Sequence, residues 1–290
     1  MEDRSVVIFG AGGRIGSAAS GVLRHAGCRV VPVSWLDKGT GAARRWPEIL
    51  AEIASIEGDV DIVFASGLTD PSASAGDLML ANVERPIGLI GATIDQKQFR
   101  YLTIGSVLET FSSLAASNRY LASKAALWGC IDALAADSRM RGRIAHLRLH
   151  TAYGGAPAPH SFLGQMYESL CAQHPFRMSE GRQLREYAHV DDLARSIAAL
   201  LRQPWAGPTA IELSTGEPVS LAEVARAVFR AFGREELLQL GALPTPAGEN
   251  TSAKFARSPA WILGRPRPII EGIVQWFQDL LARRGDPECA

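Results

Sequence analysis

The segment Val7-Ile8-Phe9-Gly10-Ala11-Gly12-Gly13-Arg14-Ile15-Gly16 restricts the possible folds more than any other stretch of the chain. Gly10, Gly13 and Gly16 stand at GxxGxxG spacing, after an apolar β-branched run and before a stretch of helical composition. In a strand–turn–helix, the first glycine permits the tight turn. The second lets the backbone approach a pyrophosphate, and the third lets helix and strand pack closely. The helix N-terminus then presents free N–H groups and a positive dipole end to the phosphates. Gly10, Gly13, Arg14, Ile15 and Gly16 are therefore the expected cradle of a dinucleotide. A plain tight turn uses glycine in the same way. What favours the nucleotide is the position, after the first strand of an alternating α/β chain.

That alternation continues through the first half. Short β runs are expected over residues 5–10, 29–34, 61–65, 101–106 and 144–149. Helical stretches are expected over 15–26, 42–55, 78–92 and 119–137. Gly27 is a natural C-terminal cap for the first helix, and Pro47 is tolerable only near the first turn of the second. The pattern predicts a Rossmann-type, doubly wound parallel sheet. The second half differs. A Gly/Pro-rich loop over 154–160 is followed by a helix over 190–201, a short strand over 210–213, and helices over 221–232 and 271–283. The expected organisation is a dinucleotide-binding domain of residues 1–155 with about 186–215. A small substrate-binding lobe of about 156–185 with 216–290 would lie at the carboxyl edge of the sheet, where such sheets bind ligands.

With 290 residues, nearly half of them apolar, the chain can bury a sizeable core. Its formal net charge is zero and it has no basic stripe, so nucleic acid is a poor partner. No apolar run approaches the roughly 20 residues of a membrane helix, and the charged N-terminus passes at once into a strand. Cys28, Cys130, Cys171 and Cys289 are scattered without CxxC spacing. They read as reduced thiols of a cytoplasmic protein, with no metal site.

NAD-specific sites usually place an acid at the end of the second strand, to bond the ribose 2′-OH. Here that position is Ser34, with Arg14, Lys38, Arg44 and Arg45 nearby. These charges suit a 2′-phosphate, so NADP(H) is the preferred expectation. NAD(H) stays open, because Asp37 can reach the ribose and the basic residues also suit a solvated helix face.

Tyr120 and Lys124 are four residues apart in a helical stretch, so both project from one face. A phenol has a pKa near 10. A neighbouring ammonium favours the phenolate, so the tyrosine can exchange a proton with an alcohol or carbonyl oxygen. Ser106, fourteen residues before Tyr120, ends a strand, where its hydroxyl can bond the same oxygen. In the bland alternative, Tyr120 packs in the core and Lys124 is solvated.

Together these features resemble the extended short-chain dehydrogenase/reductases, the NAD-dependent epimerase/dehydratase superfamily, over nearly the whole chain. Gly10–Gly16 matches the family's glycine motif. Asp61-Ile62-Val63-Phe64-Ala65-Ser66-Gly67 looks like the strand whose end passes under the cofactor, which implies cofactor contacts from Ala65, Ser66 and Gly67. The Asn82-Val83 helix looks like the carrier of a fourth catalytic residue. Asn82 would hold a water in a proton relay beyond Lys124, and a helix-surface Asn is the plain alternative. The segment 147–154 resembles the one that meets the nicotinamide, which brings in Thr151. Residues 185–194 are close to R-x-Y/F-x-H-V-D-D-x-A. By resemblance the leading Arg185 points at the diphosphate of a nucleotide-activated sugar, a task suited to a planar, always charged fork. Asp191 and Asp192 read as helix-capping acids, and His189 as a packed histidine. Residues 263–268 are like the family's LGWRPR segment, where Arg265 is a second candidate phosphate contact or a surface base. Relatives commonly pair through the Asn82 and Tyr120 helices, which implies a homodimer.

Two departures narrow the expectation. Ser106-Val107-Leu108 stands where dehydratases carry Thr-Asp-Glu, so the acid and base for water loss are absent unless Glu109 faces the pocket. On that condition Glu109 is a substrate-binding candidate. Only some 25 residues separate the second strand from the Asp61 strand, a compression like that of 4-ketoreductases of deoxysugar pathways. The expected function is NADPH-dependent reduction of a keto group on a nucleotide-linked deoxysugar. Three alternatives stay open: a nucleotide-sugar epimerase with retained NAD, a reductase of a non-nucleotide carbonyl compound, and a non-catalytic Rossmann cofactor-binding regulator.

Overall fold

The computed structural model describes residues 4–37, 39–70, 72–111, 118–207, 209–245 and 266–284. The chain divides into two compact units, Met1–Leu149 with Leu193–Leu213 and His150–Asp192 with Ser214–Ala290.

In the first unit the elements in chain order are β1 (Ser5–Phe9), α1 (Arg14–His25), β2 (Arg29–Val33), α2 (Trp46–Ala54) and β3 (Val60–Phe64). They are followed by α3 (Ala75–Met79), α4 (Arg85–Thr93), β4 (Phe99–Ser106), α5 (Arg119–Ala135) and β5 (Ile144–Leu149). A sixth strand, Ala210–Leu213, pairs with β5. The sheet is parallel throughout, in the order Ala210–Leu213, β5, β4, β3, β1, β2. It is the expected Rossmann-type α/β fold. β1 and β3 are buried at every position, as strands covered by helices on both faces must be. Phe9, Trp35, Ile53, Ile62, Leu89, Tyr101 and Ile131 belong to one apolar core.

Two expected helices differ in a way their prolines explain. The helix expected over 42–55 begins only at Trp46, because Pro47 sits in its first turn, where a missing N–H costs nothing. The helix expected over 78–92 is three pieces: α3, a π-turn over Leu80–Glu84, and α4. Pro86 lacks the N–H that the Asn82 carbonyl would receive in α geometry. The turn widens there, and Arg85 N–H donates to the Leu80 carbonyl, five residues back.

The amino edge of the sheet is held by a buried acid. Asp61 is 2 % exposed. It accepts from Arg100 Nε and Nη2 at 2.7 and 2.8 Å, and from Arg4 Nη2 at 3.0 Å. Arg100 is its register partner on β4. That guanidinium also donates to the Leu201 and Gln203 carbonyls and lies 4.4 Å over the Trp205 ring. The bidentate fork satisfies both partners, which a buried charge requires.

The second unit has its own core, including Leu163, Met166, Val224, Val228, Phe229, Ile273 and Phe277. Its strands are two or three residues long, with Leu184–Arg185 against Val219–Ser220 and Thr151–Tyr153 against Tyr187–His189. Glu186, 1 % exposed, accepts from the Ser214 hydroxyl and from the Thr215 N–H and hydroxyl. That carboxylate pins the turn entering the helix-bearing C-terminal part. No helix among the described residues is long and apolar enough to cross a membrane.

Asp61→Asn keeps the shape but turns an N–H2 toward the Arg100 fork. It should lower unfolding free energy by about 3 kcal/mol, read as a lower urea midpoint at unchanged m. A loss below about 1 kcal/mol, typical of exposed pairs, would show that water already solvates the cluster.

Candidate active site

The carboxyl ends of β1, β2, β3 and β4 meet three groups of polar residues in the first unit. The first is the glycine turn. Gly10 has φ +82°, and a Cβ there would sit 2.6 Å from the Ala65 carbonyl oxygen and from the backbone of Ser66. A Cβ on Gly16 would fall 2.1 Å from the Gly10 oxygen. Only glycine allows both approaches. Gly13 N–H donates to Gly10 O at 2.9 Å and leads into α1 as its N-cap, offering no side-chain cap to the first-turn N–H groups. No acid stands in that turn. A close-packed turn with an uncapped twelve-residue helix behind it fits the diphosphate of a dinucleotide. Arg14 and Ile15 are the first helical residues, so their N–H groups belong to that opening.

The second group lies at the end of β2. Ser34 Oγ accepts from Leu36 N–H, and the Ser34 carbonyl accepts from Arg44 Nη1 at 3.2 Å. Arg44 Nη2 is paired with Glu52 at 2.8 Å, which fixes the guanidinium at the strand end. Asp37 is turned into its own loop. It accepts from Gly39 N–H, Thr40 N–H and the Thr40 hydroxyl, and these bonds hold its carboxyl below the usual range. Arg45 pairs with Glu48 and is 82 % exposed. Lys38 lies outside the described residues. Trp35 stacks on Phe9 at 4.0 Å and donates Nε1–H to Ser66 Oγ at 2.8 Å. The ends of β1, β2 and β3 are thereby tied together, a role for Ser66 that nothing in the local sequence signals.

The third group surrounds α5. Asn118 caps its N-terminus by accepting from Leu121 N–H. Lys124, 4 % exposed, donates from Nζ to the Ile104 carbonyl at 2.8 Å, two residues before Ser106, and lies 5.8 Å from the centre of the Tyr120 ring. It is not a solvated lysine. Burial lowers its pKa to about 8, against the pull of the Glu109 carboxylate, which raises it. Burial, with the same carboxylate, pushes Tyr120 up to about 12. A Cβ on Gly67 would lie 3.1 Å from Lys124 Nζ and 3.2 Å from Asn82 Oδ1, so the end of β3 abuts both side chains.

Asn82 is buried at 2 %, not on a helix surface. Its Oδ1 accepts from Leu68 N–H, and its Nδ2 donates to Leu68 O and to Ser123 Oγ. It ties the loop after β3 to α5.

Glu109 is where the structure corrects the sequence reading. Its side chain has no exposure. It accepts from Ser106 N–H at 2.9 Å through Oε2. Through Oε1 it meets Arg148 Nε and His146 Nε2, each at 2.9 Å. As a carboxylate it only accepts, so His146 Nε2 carries the proton. His146 Nδ1 lies 2.7 Å from the Thr103 hydroxyl. Burial alone would raise the pKa of Glu109, but His146, Ser106 N–H and Arg148 outweigh it and lower it. Part of the reason for the inward turn is local. Ser106 and Glu109 form a capping box around the 3₁₀ turn Val107–Thr110, which folds the acid back against the end of β4. His146 and Arg148 went unassigned from sequence, although a histidine inside the apolar run 144–149 needs a buried partner.

Thr151 and Arg185 belong to the second unit. Thr151 is exposed, and its N–H donates to the Glu186 carbonyl. Arg185 is half-buried and donates to its neighbour's carbonyl at Leu184. Asp191 and Asp192 stand in the first turn of Val190–Leu201 and take bonds from Arg267. The His189 ring packs edge-on against Tyr153. Arg265 lies outside the described residues.

The buried lysine has a measurable consequence. Its folded-state pKa is about 8, below its ordinary value of 10.5. Between these values the unfolded chain binds the extra proton, so Lys124's unfavourable contribution fades and stability rises with pH. The cofactor-free protein should gain stability between about pH 8 and 10. Lys124→Met should lack that gain in urea unfolding across the same range. Equal pH slopes for the two proteins would show that Lys124 titrates as an exposed amine.

The model of the NAD dependent epimerase/dehydratase family matches residues 6–214, well over half of the chain. No curated protein sequence matches. Among solved structures, the chain resembles MoeE5 in complex with UDP-glucose and NAD, with TM-score 0.77, 21 % identity, and 97 % of this chain and 99 % of that one covered. It also resembles the Thermotoga maritima UDP-glucose 4-epimerase with UDP-glucose, with TM-score 0.78, 14 % identity, and 97 % and 99 % covered. A third is the NAD dependent NDP-hexosamine 5,6-dehydratase TunA of tunicamycin biosynthesis, with TM-score 0.73, 17 % identity, and 97 % and 98 % covered. At these identities the likeness to solved structures is one of fold. The family match, joined to the glycine cradle and the Tyr120–Lys124 helix, makes the chain a member of the NAD dependent epimerase/dehydratase family, an enzyme of the extended short-chain dehydrogenase/reductase type with a nicotinamide cofactor.

Proposed function

We propose that this protein is an NADPH-dependent reductase of a keto group on a nucleotide-activated deoxysugar. One observation carries the choice of reduction over dehydration: Glu109, the one acid beside Ser106 able to serve water loss, is enclosed by Ser106 N–H, His146 and Arg148. Ser106 and Tyr120 remain, a donor and a proton-exchanging phenol, which suit carbonyl reduction. MoeE5 and the epimerase were solved with UDP-glucose, and that likeness supports a nucleotide sugar as substrate.

The reduced nicotinamide, when bound, supplies the hydride that the carbonyl carbon receives. The chain's residues manage the oxygen and the proton. Ser106 Oγ already accepts from Leu108 N–H, so its own hydrogen can point at the substrate oxygen. Tyr120 donates its phenolic proton to that oxygen as the C–O double bond becomes a C–O single bond, and it regains a proton from solvent. Lys124 steadies the resulting phenolate and the cofactor ribose. Asn82 positions the loop that backs Lys124. Gly10, Gly13, Arg14, Ile15 and Gly16 would hold the diphosphate, and Ala65, Ser66, Gly67 and Thr151 would be further contacts of the cofactor. Arg185, with Arg265, takes the substrate's phosphates, and the second unit is the substrate-binding lobe.

The preference for NADP(H) rests on Ser34 in place of an acid and on Arg44, anchored beside it by Glu52. A bidentate guanidinium suits a 2′-phosphate. We further assign the protein to the cytoplasm as a homodimer. The free thiols Cys28, Cys130 and Cys171 support the first. The exposed small residues Ala122, Gly129 and Ala133 on α5, and Gly91 on α4, support the second by permitting close helix approach.

Nicotinamide nucleotide released by denaturing the purified protein, identified by mass spectrometry before and after dialysis, tests the reading. The expected result is a site that empties and refills with NADPH. NAD retained through dialysis at near one per subunit would favour an epimerase and sink the NADP assignment. With dTDP-4-keto-6-deoxyglucose as the test ketone, Tyr120→Phe should lose about 10²–10⁴-fold in kcat. Arg44→Ala should raise the KM for NADPH about tenfold, roughly the loss of one charge-assisted contact, and leave that for NADH unchanged.

A further inference from the structure

A buried carboxylate that bonds three donors from two strands is expensive to keep unless its placement matters. Glu109 joins the last N–H of β4 to His146 and Arg148 on β5. The neighbouring positions are shaped around it. A Cβ on Gly105 would lie 2.2 Å from His146 Nε2 and 2.4 Å from Glu109 Oε2, so glycine is required where β4 passes the bridge. Arg148 is held from its other side by the Trp128 ring of α5, 4.5 Å away, and the same ring flanks His146 at 5.4 Å. Thr103 closes the chain of contacts at His146 Nδ1. Two of the elements that carry the proposed reacting groups are thus connected through one carboxylate: the end of β4 with Ser106, and α5 with Tyr120 and Lys124.

We propose that Glu109 is a positioning residue of the reaction: through its bridge to Ser106 N–H, His146 and Arg148 it fixes the Ser106 hydroxyl relative to α5, and its enclosed negative charge acts on the Tyr120–Lys124 pair. The inference rests on Ser106, Tyr120 and Lys124 being the reacting groups. Among the described residues, the charges acting on the pair are Glu109 from the turn after β4 and the two members themselves on α5. His146 and Arg148 face Glu109 from β5. Glu109 favours the protonated form of both Lys124 and Tyr120. Its removal therefore lets both lose their protons at lower pH. A group that served packing alone would leave these titrations where they are.

The lysine can be observed without any substrate. The chain contains four lysines, Lys38, Lys97, Lys124 and Lys254. In protein labelled with [ε-¹³C]lysine, the Lys124 signal is identified by its loss in Lys124→Arg. In Glu109→Gln its midpoint should fall by about one pH unit. In Glu109→Asp, which keeps the charge but shortens the reach, the midpoint should stay near the wild-type value. Reduction of dTDP-4-keto-6-deoxyglucose should lose about 10²-fold in kcat in both variants, as expected when a reacting group is misplaced by about an ångström. In Glu109→Asp, which keeps the charge that acts on Lys124, the KM for NADPH should change less than about twofold. An unmoved Lys124 midpoint in Glu109→Gln, or a wild-type kcat in Glu109→Asp, overturns the proposal. Should Glu109→Gln not fold, Arg148→Met breaks the bridge from the other end, and the same kcat loss at unchanged NADPH KM is expected. A wild-type protein that does not reduce the ketone defeats the functional reading instead, and the lysine titration still decides the fate of Glu109.

Discussion

The Cα of Gly10 passes so close to the end of β3 that no side chain fits between them, and the placement of the site in the first unit depends on that contact. It lets β1 end flush against β3, so α1 starts directly over the strand ends with no side-chain cap. Gly16 completes the arrangement by letting α1 settle onto the turn. Because β1 and β3 are buried on both faces, their middles have no use for polar side chains. In a parallel sheet all the forward loops leave from one edge, so functional groups collect there. The stacked Phe9, Trp35 and Phe64 seal the apolar interior just beneath that edge.

At the edge itself the balance is between burial and charge. Lys124 and Tyr120 are both taken from water, and burial disfavours the charged form of each. For the lysine that means a proton held less firmly, and for the tyrosine one held more firmly. Without compensation the two would be driven toward a neutral pair, which cannot serve as a charged switch at neutral pH. The Ile104 carbonyl gives Lys124 a dipole, and Glu109 supplies a negative charge that opposes burial at the lysine and adds to it at the tyrosine, so the compensation falls on Lys124. The cost of that anion is met by Ser106 N–H, His146 and Arg148, which together outweigh its own desolvation.

The sequence makes some of this readable and hides the rest for identifiable reasons. Glycine spacing after a β run, and a tyrosine–lysine pair at one helical turn, are local patterns, and local patterns translate directly into geometry. The parallel sheet follows from the alternation of elements. The break in the helix around Asn82 was marked by Pro86, yet composition does not reveal that the ring would be accommodated by a π-turn. Glu109 was visible as an acid near Ser106, but its direction depends on a capping box and on His146 and Arg148, some forty residues later. Trp35 bonding Ser66 and Arg44 resting on the Ser34 carbonyl are likewise contacts between segments that no periodicity relates. A histidine inside an apolar strand was the one available signal of the bridge, because such a ring must find a partner.

The two buried acids of the first unit are solutions to the same problem at opposite ends of the sheet. Asp61 near the start of β3 and Glu109 just past the end of β4 each bridge adjacent segments with an arginine from a neighbouring strand. At the amino edge, Asp61 meets two arginines that bond backbone carbonyls or lie toward solvent, and its charge is spent on holding strands in register. At the carboxyl edge, Glu109 meets one arginine and a histidine, so its charge is less fully matched and its field reaches Tyr120 and Lys124. Equal chemistry thus has unequal consequences. A fully matched carboxylate is a clasp. A carboxylate matched by a single arginine and a histidine also shifts the proton affinity of its neighbours, on top of the larger effect of their burial.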